Sequence, residues 1–374
     1  MRNQNIRWIS PVDTSASIGG GVARAISALR SSELTSNFKL DFYSLSSYKT
    51  NQYSNLLMQI KIFLNDILFL KYRNFFVHSF FSPYVLLLLI IPIKLNIILM
   101  PHGQLKFDAL KVKSFNKKFV IALLKILKPI NQSLKKITVI ASNDEELEFV
   151  LKTVGVGKVK KIPDMVSKDM LLNKHELIED DKGINLVIIF RLTKDKGVSM
   201  LLKEIIKNKK HEKKTWTSSI ESISIFFIIG QRFYTDDEEE LKNIYESVDH
   251  LKNIYKIKIN IFEGLNHNEI SNEIHGLPNK IGFIPSKFES FSYALIEQLN
   301  FEYCPIVWFK NDLVKTLVEN EMCTKLKFGE LLDDNSSSPI KLNIHGRASK
   351  FLSNSHKDII KKYINVFEEI FKKL

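Results

Sequence analysis

A chain of 374 residues with 45% hydrophobic and 25% charged residues is too long for one ordinary core and too apolar for a disordered polymer; two domains of roughly 150–200 residues each fit it. Its 54 Lys and Arg against 41 Asp and Glu leave a formal charge of +13. That charge suits anionic partners, but no RNA- or DNA-binding signature accompanies it, and the aromatics are mostly Phe inside apolar runs, which sets nucleic acid aside. Cys304 and Cys323 are the only cysteines and lack metal-ligand spacing, so a reducing cytoplasm is expected and a structural zinc site is not.

The polar start and the short apolar run Ile6 to Ile9 do not have the pattern of a signal peptide. Ile6 to Ser10 predicts a strand, and a loop ending in Gly19-Gly20-Gly21 leads into a helix over Val22 to Leu29. Strand, glycine turn and helix N-terminus together are suited to phosphate, because glycine lets the backbone approach and the free amides attract anions. Leu40 to Leu45 and Phe75 to Ser79 read as further strands, and His78, at the end of the second, reads as a satisfied, half-buried histidine. Tyr84 to Met100 is the most apolar window, but Pro92, Lys94 and Asn96 break it into pieces shorter than the ~20 residues of a spanning helix. It predicts a buried helix and a buried strand. The strand ends in Pro101-His102-Gly103, which puts His102 where the ligand crevice of an open α/β sheet lies.

Between Lys106 and Lys136 nine lysines face a single carboxylate, Asp108, with apolar residues interleaved at helical spacing. A basic amphipathic helix of this kind can lie on anionic lipid, or it can face the core and solvate its basic side. Lys136 to Ala141 is again a strand, and Ser142 to Glu145 caps an acidic helix start. Residues 167–182 are polar and aperiodic, the expected linker between an N-terminal domain (1–166) and a C-terminal domain (183–354). Apolar strands at Asn185–Phe190, Ile223–Ile229, Lys256–Phe262, Lys280–Pro285 and Pro305–Phe309, each followed by a helical pattern, predict a parallel sheet with crossover helices. Residues 355–374 close the chain with an amphipathic helix over Asp358 to Leu374.

Two cations, Arg191 and Lys196, stand at the end of the first C-terminal strand, just before Gly197. Arg offers a bidentate fork to phosphate oxygens and Lys a point charge. In Pro285-Ser286-Lys-Phe-Glu289-Ser-Phe-Ser-Tyr-Ala-Leu-Ile-Glu297, one carboxylate sits on the loop after a strand and one on the next helix. Carboxylates accept hydrogen bonds from vicinal hydroxyls while cations hold phosphates, so the set suits a ligand with a diphosphate and a sugar.

Arg191-x4-Lys196-Gly197, Gly230 after a buried strand, and Pro285-Ser286-x2-Glu289-x7-Glu297 together resemble the retaining, GT-B-fold glycosyltransferases of family 4, many of which build bacterial surface polysaccharides. The resemblance implies an α/β fold of two Rossmann-like domains facing across a cleft, with the terminal helix crossing back onto the first. It implies catalytic roles for His102, Arg191, Lys196 and Glu289. It implies substrate contacts for Gly19, Gly20, Gly230, Phe291, Ser292 and Glu297. The implied partners are a nucleoside-diphosphate sugar and a lipid-linked or oligosaccharide acceptor, with no metal and no cofactor. An anionic membrane surface, reached through Lys106 to Lys136, is a candidate partner of a protein at the inner face of the cytoplasmic membrane. A sugar-nucleotide epimerase of the same fold and a non-catalytic membrane-surface binding protein are the alternatives. The chain departs from the family pattern at Ser290 and Ser292, which stand where glycines are usual. It departs again at Phe190, before the Arg, and at Trp308-Phe-Lys-Asn-Asp in place of a small glycine-containing loop.

Overall fold

The computed structural model describes residues 5–11, 20–45, 56–103, 105, 121–123, 125–126, 129, 133–154, 157–166, 184–211, 220–228, 235–263, 265, 267–275, 277–287, 289, 292–300, 305–327 and 347–372. The chain divides into two compact units, Met1–Ser167 with Ser355–Leu374, and Lys168–Asn354.

The first unit holds strands β1 (Ile6–Ser10), β2 (Leu40–Ser44), β3 (Asn74–His78), β4 (Leu95–Met100), β5 (Lys135–Ala141) and β6 (Lys158–Lys161). They form one parallel sheet in the order β2-β1-β3-β4-β5-β6. β1, β3 and β4 are buried along almost their whole length, as strands covered on both faces must be, and this is why they read as continuous apolar runs. One face carries Ile6, Trp8, Phe76, Ile98 and Met100 and packs against the helix Gly20–Arg30 and the terminal helix. That last helix runs Arg347–Phe367, longer than its apolar period predicts, and continues as a π-helical turn over Glu368–Lys372. Ile360, Tyr363, Val366, Phe367, Ile370 and Phe371 are all buried on it. The Phe367 ring sits edge-on to Phe76 at 5.0 Å. Six such side chains contribute on the order of 10 kcal/mol before conformational entropy is subtracted.

The second unit holds β7 (Ile184–Arg191), β8 (Ile220–Ile228), β9 (Lys258–Glu263), β10 (Lys280–Ile284), β11 (Ile306–Val307) and β12 (Thr324–Lys325), again all parallel, in the order β12-β11-β10-β7-β8-β9. The chain lays strands outward from β7 in one direction, then returns to lay β10 on β7's other side. That reversal is the topological switch point, and open sheets of this order bind ligands in the crevice beyond it.

β6 and β12 have no counterpart in the sequence reading. Each is an edge strand, one reading Lys-Val-Lys-Lys and the other two residues long. Short, lysine-bearing edges deter pairing with other chains, and the same traits erase the apolar run by which a strand is read. Trp308 and Phe190, the bulky departures noted above, belong to the second unit's core. Trp308 packs edge-on against Phe283 at 5.3 Å. No described helix is long and apolar enough to cross a membrane.

Candidate functional site

In the second unit the loops after β7 and β10 meet at the switch point. β7 ends at Arg191, whose backbone registers with Ile228 of β8; its side chain is not among those described. A 3₁₀ turn, Lys194–Lys196, follows and closes at Gly197 with φ 67° and ψ 18°. A left-handed conformation at this point favours glycine over any residue with a Cβ. The amide of Lys287 donates to the Asp195 carbonyl at 2.9 Å and ties the second loop to the turn.

On that support Lys196 Nζ donates to Glu289 Oε1 at 2.5 Å. Ser286 Oγ donates to the same oxygen at 2.9 Å, and Asp195 Oδ2 stands 3.8 Å from Nζ. The Lys196 and Glu289 side chains are only 13% and 15% exposed, so the pair sits in a crevice rather than in open solvent. Ser292 caps the helix Tyr293–Asn300, its Oγ accepting from Leu295 N at 3.2 Å. Serine at this position therefore gives the helix a side-chain cap. Glu297 lies in the second turn of that helix and is fully buried. Gly19, Gly230 and Phe291 lie outside the described residues; Gly20 opens the helix Gly20–Arg30 in the first unit.

The N-terminus of the helix Val198–Lys210, which Gly197 opens, already holds an anion. Glu240, from the helix Thr235–Tyr255, accepts from Ser199 N at 3.1 Å and from Ser199 Oγ at 2.8 Å. A carboxylate there satisfies an amide that the helix itself cannot and complements the helix dipole. No sequence signal pointed to Glu240, since its partner is 41 positions away.

In the first unit the ends of β3 and β4 carry a second cluster. His102 has φ 54° and Gly103 φ 78°, a sharp left-handed turn. His102 Nδ1 lies 3.0 Å from Asp164 Oδ1. Its Nε2 lies 2.7 Å from His78 Nδ1, and the two rings stack at 5.0 Å. With Asp164 as acceptor the proton sits on His102 Nδ1. Nε2 then carries the lone pair and accepts the Nδ1–H of His78. His78 is fully buried, not half-buried, and stacks on Trp8 at 5.8 Å. Burial, then the neighbouring His102, holds its pKa well below the ordinary histidine value. Beside them Glu146 accepts from Ser142 N at 3.0 Å and Ser142 Oγ at 3.1 Å. Burial pushes its carboxyl up in spite of these bonds. Both ring nitrogens of His102 are thus occupied by protein side chains. The geometry suits a fixed turn better than a mobile acid or base.

Of the lysine-rich segment between Lys106 and Lys136, residues 121–123, 125–126, 129 and 133–134 are described, as helix, before β5 begins; the rest of that expectation lies outside the described residues. Among the described residues no three of His, Cys, Asp and Glu are grouped as metal ligands.

No protein-family model and no curated protein matches the chain. Solved structures do. A glycosyltransferase from Rickettsia africae ESF-5 superposes with a TM-score of 0.70 at 15% identity, covering 100% of both chains. Sucrose-phosphate synthase from Thermosynechococcus elongatus gives 0.69 at 12%, covering 99% of this chain and 100% of that one. Anabaena HepE, in complex with UDP and glucose, gives 0.57 at 10%, covering 96% and 98%. At such identities the likeness establishes the fold. The two parallel six-stranded sheets with their helices are the α/β architecture of GT-B glycosyltransferases.

Proposed function

We propose that this protein is a glycosyltransferase that moves a sugar from a nucleoside-diphosphate sugar to a saccharide acceptor. The observation that carries the reading is the Lys196–Glu289 contact at the switch point of the second sheet, where a cation and a carboxylate are held within 2.5 Å of each other. In the reaction the bond from the sugar's anomeric carbon to the diphosphate oxygen breaks, an acceptor hydroxyl oxygen bonds that carbon, and the hydroxyl proton passes to the departing diphosphate. Negative charge grows on the departing diphosphate, and Arg191 and Lys196 are the groups that would meet it. Glu289 would hold donor-sugar hydroxyls and Glu297 the ribose. Phe291 and Ser292 would offer backbone amides to phosphate, beside Gly230, with Gly19 and Gly20 near the donor. His102 enters this reading as a positioning residue rather than an acid or base, because its nitrogens are engaged by Asp164 and His78.

The finer reading is transfer to a lipid-linked acceptor in surface-polysaccharide synthesis, at the inner face of the cytoplasmic membrane. It rests on the family resemblance and on the basic segment between Lys106 and Lys136. Thermal shift against a panel of nucleotide sugars tests the donor, since a ligand bound only by the folded state raises the melting temperature. Product analysis follows, with donor alone and with donor plus lipid-linked saccharides. Transfer only when acceptor is present supports the reading. Epimerised donor in the absence of acceptor, or no turnover with any donor that binds, refutes it.

A further inference from the structure

The segment between β2 and β3 in the first unit has two apolar faces. The helix Leu56–Leu64 runs into a π-helical turn, Asn65–Phe69. Its inner face sends Ile62, Phe63 and Ile67 into the core. Its outer face carries Leu57 (76% exposed), Met58, Leu64, Leu68 (58%), Phe69 (76%) and Leu70. Leu57, Leu64 and Leu68 recur at helical spacing with Lys61 between the first two. Met58 and Phe69 flank them and Leu70 follows the turn, so the exposures cluster and are not scattered single ones. A helix apolar on both sides is ordinarily buried on both, and exposed apolar stripes of this kind mark interaction surfaces.

The charges on the same stretch are sorted. Lys61, Lys71 and Arg73 are exposed, while the only carboxylate, Asp66, is fully buried. Asp66 is held inside by Arg7 at 3.0 Å and by the Tyr84 hydroxyl at 2.6 Å. The helix that packs beside it, Pro83–Ile90, bears no charge and ends on exposed Ile90, followed by exposed Lys94. Tyr84 N of that helix bonds Gln59 Oε1 at 3.2 Å and fixes the two together. Within this stretch the only charges that reach the surface beside the leucines and phenylalanine are cations, and the half-exposed carboxylate at its end, Asp41, is engaged by Arg7 and the Tyr72 hydroxyl.

We infer that this outer face docks on an anionic phospholipid surface, its apolar side chains entering the headgroup–acyl boundary and its lysines and arginine facing lipid phosphates. This is the pattern of a helix lying in the interface plane, where apolar burial and attraction to anionic lipid act together. The charge pattern favours lipid over a second copy of the chain, since two such faces brought together would oppose cation to cation. The inference goes beyond the sugar-transfer reading and beyond the basic segment that follows β4.

Flotation of the purified full chain with vesicles tests it. Wild type is expected to float with phosphatidylcholine–phosphatidylglycerol vesicles and much less with phosphatidylcholine alone. The variant L64Q/L68Q/F69Q, altered only at exposed positions, should partition about tenfold less or weaker still, with an unchanged melting temperature. If it melts lower, K61E/K71E serves in its place and should lose binding to the anionic vesicles. Equal flotation of wild type and variants overturns the inference, as does absence of anionic-lipid binding in wild type. A wild-type dimer that the apolar variant converts to monomer overturns it too, by assigning the face to self-association. None of these readouts depends on glycosyl transfer.

Discussion

Lys196 and Glu289 neutralise each other: Nζ and Oε1 stand 2.5 Å apart with both side chains mostly buried. A ligand bearing a diphosphate must draw Lys196 away from that carboxylate. Under the proposed function, Glu289 therefore competes with phosphate for the lysine.

A split between two measurements follows. Glu289→Gln keeps a hydrogen-bonding side chain but releases the lysine, so a nucleoside diphosphate without sugar should bind several-fold more tightly by calorimetry while transfer falls. Lys196→Ala should weaken both, with transfer down roughly ten- to a hundredfold, the equivalent of one charge-assisted hydrogen bond of about 1.5–3 kcal/mol. If Glu289→Gln weakens nucleoside diphosphate as much as Lys196→Ala does, the competition described here is wrong.

His78 gives the first unit an acid-sensitive core. Unfolded, it titrates near 6.5; folded, burial and His102 keep it neutral well below that. Between those values the unfolded chain binds the extra proton, so stability falls as pH drops through 6.5, by up to about 1.4 kcal/mol per unit. The groups around it are His102, Asp164 and Glu146. Asn at 78 places an amide nitrogen near the position of Nδ1 and does not titrate. His78→Asn should thus retain the bond to His102 while flattening the loss of urea stability between pH 7 and 5.5. Identical acid limbs in the two proteins would remove His78 as the cause.

What could be read from the residues alone follows from which contacts are local. β7, β8 and β10 announce themselves because strands buried on both faces need unbroken apolar runs, and Ser10, His78 and Met100 fall at strand ends as their runs imply. The Pro101-His102-Gly103 turn was visible because Gly103 supplies the positive φ. Asp164 was not. Its bond to His102 spans 62 residues, and a single Asp after Pro163 has no spacing to flag it. Phe190 and Trp308 stood out only as departures from a family pattern, one before Arg191 and one in place of a small loop, when each is a core side chain of the second sheet. Periodicity reports how a residue sits on its own element, not which distant element it meets.

Asp66 should be among the costliest positions outside the candidate site. It is fully buried and bonds Arg7 Nε at 3.1 Å and the Tyr84 hydroxyl at 2.6 Å. Arg7 is itself buried, and its remaining partner, Asp41 at 2.8 Å, is 45% exposed. Asp66→Ala leaves the buried guanidinium with the half-exposed Asp41 as its remaining carboxylate, which costs about 3 kcal/mol. The double change Arg7→Met with Asp66→Leu should recover much of that, because no buried charge is then left without its counter-ion; Asp41 also loses Arg7, but it is 45% exposed and water can solvate it. Urea midpoints of the three variants decide the matter; a double variant as unstable as Asp66→Ala would show that packing, not charge, is lost.

Lys135 supplies the opposite pH signature. Its ammonium is buried and donates to the Leu89 carbonyl at 2.6 Å, in the last turn of the helix Pro83–Ile90. Burial pulls its pKa from 10.5 down to about 8. Below 8 both folded and unfolded chains carry the proton, and the folded state bears the cost of burying it. Between about 8 and 10.5 the folded chain releases the proton first, so the lysine's contribution to stability improves as pH rises. Lys135→Met removes the charge and keeps the length, at the expense of the bond to Leu89. The stability of Lys135→Met relative to wild type should therefore be most favourable near pH 7 and decline steadily toward pH 10. Paired urea titrations at pH 7, 8.5 and 10 measure that difference directly, with shifts common to both proteins cancelling. A difference that stays flat across the range would mean that Lys135 keeps an ordinary, solvated pKa and that its carbonyl contact is incidental.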